Sequence, residues 1–158
     1  MGYSGETIAP MFGAVSTAAP VIGQRMPLVV VVEDGRRLSQ AIYEICDFLE
    51  VSVEHLASEQ DLAPVLAKLR PMAVLAQIDA VGQDGCHVMK TVADHDPSLP
   101  ILLLIGDDPA LAGAADAVEE IWGLSAVTKR PVLPGMGDLV DFLFRAGQKG
   151  HCLGLMPA

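Results

Sequence analysis

Two adjacent carboxylates, Glu33 and Asp34, close the apolar run Val29-Val30-Val31-Val32. Like charges a few ångströms apart repel, so the pair calls for a cation, either a divalent metal or a basic side chain. Three further segments end in residues that could stand beside it. Gln77-Ile78-Asp79 follows one apolar run, Ile105-Gly106 another, and Arg130-Pro131 closes a third. Other groups with chemical potential lack a workable arrangement. Cys86, His87 and His95, or His151-Cys152, have no standard metal-ligand spacing. Gly135-Met136-Gly137 is no phosphate loop, and no Ser/His/Asp or Cys/His set can be assembled from spacing. The expectation is an acidic cleft without a full reactive set, which binds and does not catalyse.

The surrounding pattern shows how these groups are brought together. Leu28 to Val32 is a β-branched run typical of a strand buried on both faces. Leu38, Ile42, Ile45 and Leu49 recur at helical spacing. Val51–Leu56 alternates as a second strand, and Asp61 caps a helix from Leu62 with Pro64 in its first turn. Met72–Ile78 is a third strand, and Ala80 to Gly85 reads as a turn before a helix over Cys86–His95. Ile101–Ile105 is a fourth strand. Asp108-Pro109 opens the next helix, with Leu111, Ala115, Val118 and Trp122 along it. Ala126–Lys129 forms a short fifth strand, and Gly137-Asp138 precedes a last helix carrying Leu139, Phe142 and Leu143. Strands alternating with helices make an α/β fold, a five-stranded parallel doubly wound sheet. The strands at 28–32 and 101–105 are its expected centre. In such sheets ligands bind beyond the carboxyl ends of the strands, which is where Glu33, Asp34, Gln77, Asp79, Ile105 and Arg130 fall.

Composition narrows the function further. The 158 residues suit one domain, expected at 27–146, with an apolar arm at 1–26 and a glycine-containing tail at 147–158. A hydrophobic fraction of 51% is ample for a core, although aromatics make up only 4%. The formal charge of −10 disfavours a nucleic-acid backbone or an anionic membrane surface and suits a basic protein face. Cys46, Cys86 and Cys152 give an odd count without a CxxC pair, which fits a reducing cytoplasm better than a disulfide framework. Pro10 and Pro20 interrupt the apolar stretch Thr7–Gly23, and no basic residue precedes it, so neither a secretory signal nor a membrane span is expected.

Over roughly residues 27–146 the chain resembles the receiver domain of bacterial two-component response regulators. The resemblance rests on VVVVEDGRRLSQAI at 29–42, Gln83-Asp84-Gly85 after the third strand, Leu99-Pro100-Ile101 before the fourth, and Lys129-Arg130-Pro131 after the fifth. It implies a flavodoxin-like sandwich in which an acidic pair holds Mg²⁺ and an aspartate ending the third strand accepts a phosphoryl group. A Thr or Ser and a Lys then read out the phosphate. Glu33 and Asp34 match the acidic pair. Counting back seven residues from Asp84 lands on Gln77, where the phosphoacceptor belongs; Ile105 holds the Thr/Ser position, and Arg130 precedes Pro131 in place of Lys.

A glutamine amide is uncharged and a poor nucleophile, so Gln77 forms no acyl phosphate and weakens any Mg²⁺ site. Ile105 offers no hydroxyl, and Arg130 could pair with Glu33 or Asp34 directly. The resemblance therefore implies a stand-alone pseudo-receiver acting through protein–protein contact. Its partner would be a histidine kinase, a phosphotransfer protein, another regulator or a second copy. By the same resemblance, the face of the fourth helix, fifth strand and fifth helix carries those contacts, with Trp122 a candidate anchor. Two alternatives stay open: phosphorylation on Asp79, two residues beyond Gln77 on the same side of a strand, and a small effector bound in the cleft.

Overall fold

A computed structural model describes residues 24–57, 60–77 and 83–152. Ten elements alternate along it: β1 (Met26–Val32), α1 (Arg37–Phe48), β2 (Ser52–Leu56), α2 (Leu62–Leu69), β3 (Pro71–Gln77), α3 (Gln83–His95), β4 (Ile101–Leu104), α4 (Pro109–Trp122), β5 (Val127–Arg130) and α5 (Met136–Lys149). All strand pairs are parallel, in the order β2-β1-β3-β4-β5. This is the doubly wound, flavodoxin-like sheet expected from the alternation of patterns.

Each strand sends alternate residues to opposite faces. Val29, Val31, Leu75, Leu102 and Leu104 form one core layer beneath α1 and α5, with Leu38, Ile42, Leu139 and Leu143. Val30, Val32, Val74, Leu103 and Ile105 form the other, beneath α2, α3 and α4, with Leu66, Met89, Val92 and Ala115. A strand covered on both faces must be apolar throughout, which explains why β1, β3 and β4 read as continuous hydrophobic runs.

The centre of the sheet differs from expectation. β1 and β4 do not touch each other; β3 lies between them and is buried from Pro71 to Ala76. Its alanines at 73 and 76 lowered its apparent strength in the sequence, yet small side chains are what a strand flanked on both edges and both faces can accommodate. A second correction concerns Gln83-Asp84-Gly85, read as part of a turn. These residues begin α3 three positions before the expected start.

Helix ends follow their local chemistry. Asp61 and Asp108 each accept a hydrogen bond from the N–H two residues on, and Pro109 occupies the first helical position of α4. Gly123 ends α4 at φ 68°, a left-handed conformation that glycine adopts without steric cost.

At the amino ends of the strands, Arg25 ties the segment before β1 to the end of α5. Its N–H donates to the Gly150 carbonyl at 2.8 Å, and its buried guanidinium donates to Asp96 at 2.6 Å and to Ser98 at 3.2 Å. A Cβ on Gly150 would stand 3.0 Å from the Arg25 side chain, so a larger residue there would push that side chain aside. Arg70 donates to the Gln24 carbonyl alongside. α5 thus runs to Lys149, and the chain remains docked through Cys152, whose thiol lies 3.6 Å from the Met72 sulfur.

Burial alone would raise the Asp96 carboxyl, but hydrogen bonds from Arg25 and Ser98 override it and hold the group below its ordinary range. A carboxyl depressed in the folded state contributes stability above its unfolded pKa of about 3.9 and loses it as pH falls through the folded value. Asp96→Asn is therefore expected to flatten the acid limb of a stability–pH curve below about pH 4, checked by urea denaturation at stepped pH. Leu75→Ala, emptying a fully buried site on β3, is expected to cost about 2–5 kcal/mol in the same assay.

Candidate functional site

In this strand order the chain reverses direction between β1 and β3, so the carboxyl ends of those two strands flank the expected crevice. Glu33 and Asp34 follow β1, and Gln77 ends β3. β4 and β5 bring Ile105 and Arg130 beside each other, with the Ile105 N–H donating to the Arg130 carbonyl at 2.9 Å. The backbone thus gathers the sequence-predicted positions at one end of the sheet. Asp79 lies outside the described residues.

The side chains are less convergent than their positions. Glu33 is 2% exposed. One carboxylate oxygen accepts the Leu38 N–H at 2.8 Å; the other accepts the Ser39 N–H at 2.8 Å and the Ser39 hydroxyl at 2.9 Å. Both oxygens are therefore directed to the first turn of α1, where free N–H groups and the helix dipole favour an anion. His55, at the end of β2, completes the enclosure: its Nε2 lies 4.0 Å from Glu33 and donates to the Gly35 carbonyl. Glu33 serves as the side-chain cap of α1. Arg36, the residue at the cap position itself, makes no such bond.

Arg130 does not meet Glu33. It is exposed, and its guanidinium donates to the carbonyl of Lys129 at 3.1 Å. Among the described residues the ion pairs include none between Arg130 and Glu33, so the expected pairing is corrected there. The cause is geometric: α1 already supplies the donors Glu33 needs, while Arg130 sits on β5 with β3 and β4 in between. Asp34 is exposed beside Glu33 and has an interaction of its own. Ile105 is 7% exposed and belongs to the core layer under α4. It adjoins a shallow depression of about 260 Å³ bordered by Asp107, Asp108 and Arg130. Gln77 is exposed at the crevice.

Lys129, one residue before Arg130, points to the opposite side of β5. Its ammonium lies 2.8 Å from Asp116 and also contacts Glu119 on α4. Burial would lower this ammonium, but the two carboxylates prevail and hold it above its ordinary range. Lys129 thus borders the depression beside Ile105, but its ammonium is committed to the α4 carboxylates. Trp122 is half-buried at the end of α4, beside Ile121, whose side chain is 73% exposed.

Cys46 is buried in the core, and burial pushes its thiol up to about 11, so it stays protonated and unreactive near neutrality. Among the described residues no three His, Cys, Asp or Glu side chains converge as a metal site would require. No described helix is long and apolar enough to cross a membrane. Sequence reasoning missed Ser39, His55 and the Arg25–Asp96 pair. Strand alternation could have placed His55 on the α1 side of the sheet, whereas nothing local marks Arg25 as the partner of a residue 71 positions away.

Comparison with solved structures decides the fold. A response regulator receiver protein from Pseudomonas putida matches with a TM-score of 0.57 at 18% identity, covering 76% of this chain and 97% of its own. The architecture is a receiver fold. The non-phosphorylated receiver domain of the stress response regulator RcsB from Escherichia coli matches at 0.53 and 19%, over 82% of this chain and 97% of its own. A protein described as adenylate cyclase from Rhodopirellula baltica matches at 0.60 and 17%, over 79% and 90%. At these identities the likeness concerns fold. No family model and no curated protein matches the chain.

Glu33→Ala would strip α1 of its cap and leave two N–H groups unsatisfied in a buried setting. A loss of about 1–3 kcal/mol is expected in urea denaturation, and Ser39→Ala, which removes one of the three bonds, is expected to cost about 1 kcal/mol.

Proposed function

We propose that this domain is a receiver-like signalling module that works through protein–protein contact, without aspartyl phosphorylation and without an enzymatic activity of its own. The observation that carries the reading is the pairing of Gln77 at the end of β3 with a Glu33 carboxylate turned onto α1. Phosphoryl transfer to a receiver-type cleft needs a carboxylate nucleophile and a metal to neutralise developing charge. The amide at position 77 supplies neither nucleophile nor charge. Glu33 has both oxygens engaged by protein donors, and recruiting it for a cation would uncap α1. Mg²⁺ also keeps strict octahedral geometry and prefers charged oxygens, so Asp34 and a neutral amide make a weak set.

The further steps of a receiver switch are absent from the same positions. Ile105 has no hydroxyl to hold a phosphate oxygen, and Lys129 is engaged with Asp116 and Glu119. The acidic net charge and the half-buried Trp122 on α4 support a protein partner over nucleic acid or an anionic membrane. A histidine kinase, a phosphotransfer protein, another regulator or a second copy fits this chemistry, and a cytoplasmic setting fits the three free thiols.

The test is an amide NMR titration of the ¹⁵N-labelled chain with beryllofluoride and Mg²⁺, paired with mass spectrometry after treatment with acetyl phosphate. Unchanged resonances at Glu33, Asp34 and Gln77, with no covalent adduct, are expected. Clear shifts at those amides, or a hydroxylamine-labile adduct mapping to Asp79, would overturn the proposal and restore a phosphoacceptor receiver.

A further inference from the structure

The outer edge of the sheet at β2 carries a feature unrelated to the cleft's phosphate chemistry. Glu33 donates its N–H to the Leu56 carbonyl, so Leu56, and by alternation Glu54 and Ser52, direct their backbone groups toward β1. Val53 and His55 direct theirs outward. Among the described residues nothing pairs with those four groups. They open into a groove of about 700 Å³ between the edge of β2 and the outer face of α1.

The groove is bipolar. Because β2 runs parallel to β1 and α1 runs back between them, Arg36 and His55 lie at the cleft end of the groove and Asp47 and Glu50 at the opposite end. Tyr43, 61% exposed, forms the wall between. A second copy pairing antiparallel through all four outward groups would set Glu54 directly against its own counterpart, and like charges opposed across strands are destabilising. The edge is therefore selective against itself while remaining open to a strand of different charge.

We infer that this groove receives an extended segment of a partner protein, which adds antiparallel to β2 by pairing with Val53 and His55. The segment carries an acidic residue near Arg36 and His55, a basic residue near Asp47 and Glu50, and a basic residue opposite Glu54. Strand addition of this kind draws affinity from main-chain hydrogen bonds and selectivity from side chains at alternate positions. Antiparallel alignment fixes the order: acidic toward the amino end of the segment, basic toward its carboxyl end.

The probe is the peptide acetyl-Thr-Glu-Lys-Val-Thr-Lys-Thr-amide, titrated into the ¹⁵N-labelled full chain to millimolar concentration. Its control reverses each charge: acetyl-Thr-Lys-Glu-Val-Thr-Glu-Thr-amide. The first peptide is expected to shift the amides of Val53 and His55 and slow their hydrogen exchange, binding at least about fivefold more tightly than the control. Arg36→Glu, an exposed change outside the core, is expected to weaken binding of the first peptide and narrow that preference while the remaining spectrum stays native. Absence of shifts at Val53 and His55, equal binding of the two peptides, or a preference unaffected by Arg36→Glu would overturn the assignment. The peptide titration uses unphosphorylated protein with no phosphodonor or metal, so failure here is separable from failure of the proposed function.

Discussion

A carboxylate that loses nearly all of its water has to be solvated by the protein, and at Glu33 the first turn of α1 performs that task. Two backbone N–H groups and the Ser39 hydroxyl converge on it, with His55 alongside. The arrangement fixes where α1 begins and how the loop after β1 turns. It also decides what the end of the sheet can do chemically. An acidic pair that looks, in one dimension, like a cation site becomes in three dimensions one structural carboxylate and one exposed neighbour. Releasing Glu33 to a metal would leave helix N–H groups without partners, so metal binding and helix capping compete for the same oxygens.

The same economy of partners governs the other basic and acidic groups. Lys129 is held by two α4 carboxylates, and Arg25 by Asp96 and Ser98 at the far end of the sheet. Arg130, on the opposite side of β5 from Lys129, donates its guanidinium to the Lys129 backbone carbonyl. Each of these cations is thus engaged by a group close to it in space and none by Glu33. On the proposed reading this explains how a receiver fold persists without its reactive constellation. The core layers on either side of β3 supply the stability, and the cleft is free to lose groups that only phosphate chemistry would require.

Much of the architecture was legible in the sequence because its signals are periodic. The valines of β1 and the leucines of β4 mark strands covered on both faces, and the stripes of α1 and α2 mark their buried sides. Asp108-Pro109 and Asp61 mark where α4 and α2 begin. The centre of the sheet was not legible, since Ala73 and Ala76 make β3 look weaker than its flanking strands, although close packing on all sides favours them. At the site, positions were predictable from topology but contacts were not. Nothing in the adjacency of Glu33 and Asp34 tells which will turn inward; that depends on the N–H groups of Leu38 and Ser39, which exist as donors only once α1 forms. Nor does local sequence reveal that Lys129 faces α4 while Arg130 faces away, because the parity of a four-residue strand shifts with its first residue.

The competition at Glu33 is the centre of this account, and paramagnetic broadening by Mn²⁺ measures it directly. With ¹⁵N-labelled protein at neutral pH, the amides of Glu33, Asp34 and Gln77 are expected to broaden no more than those of other exposed carboxylate-bearing loops, and the Leu38 and Ser39 amides to keep their hydrogen-bonded shifts. Selective broadening of those three residues at sub-millimolar Mn²⁺, accompanied by loss of the Leu38 and Ser39 hydrogen-bonded shifts, would contradict it.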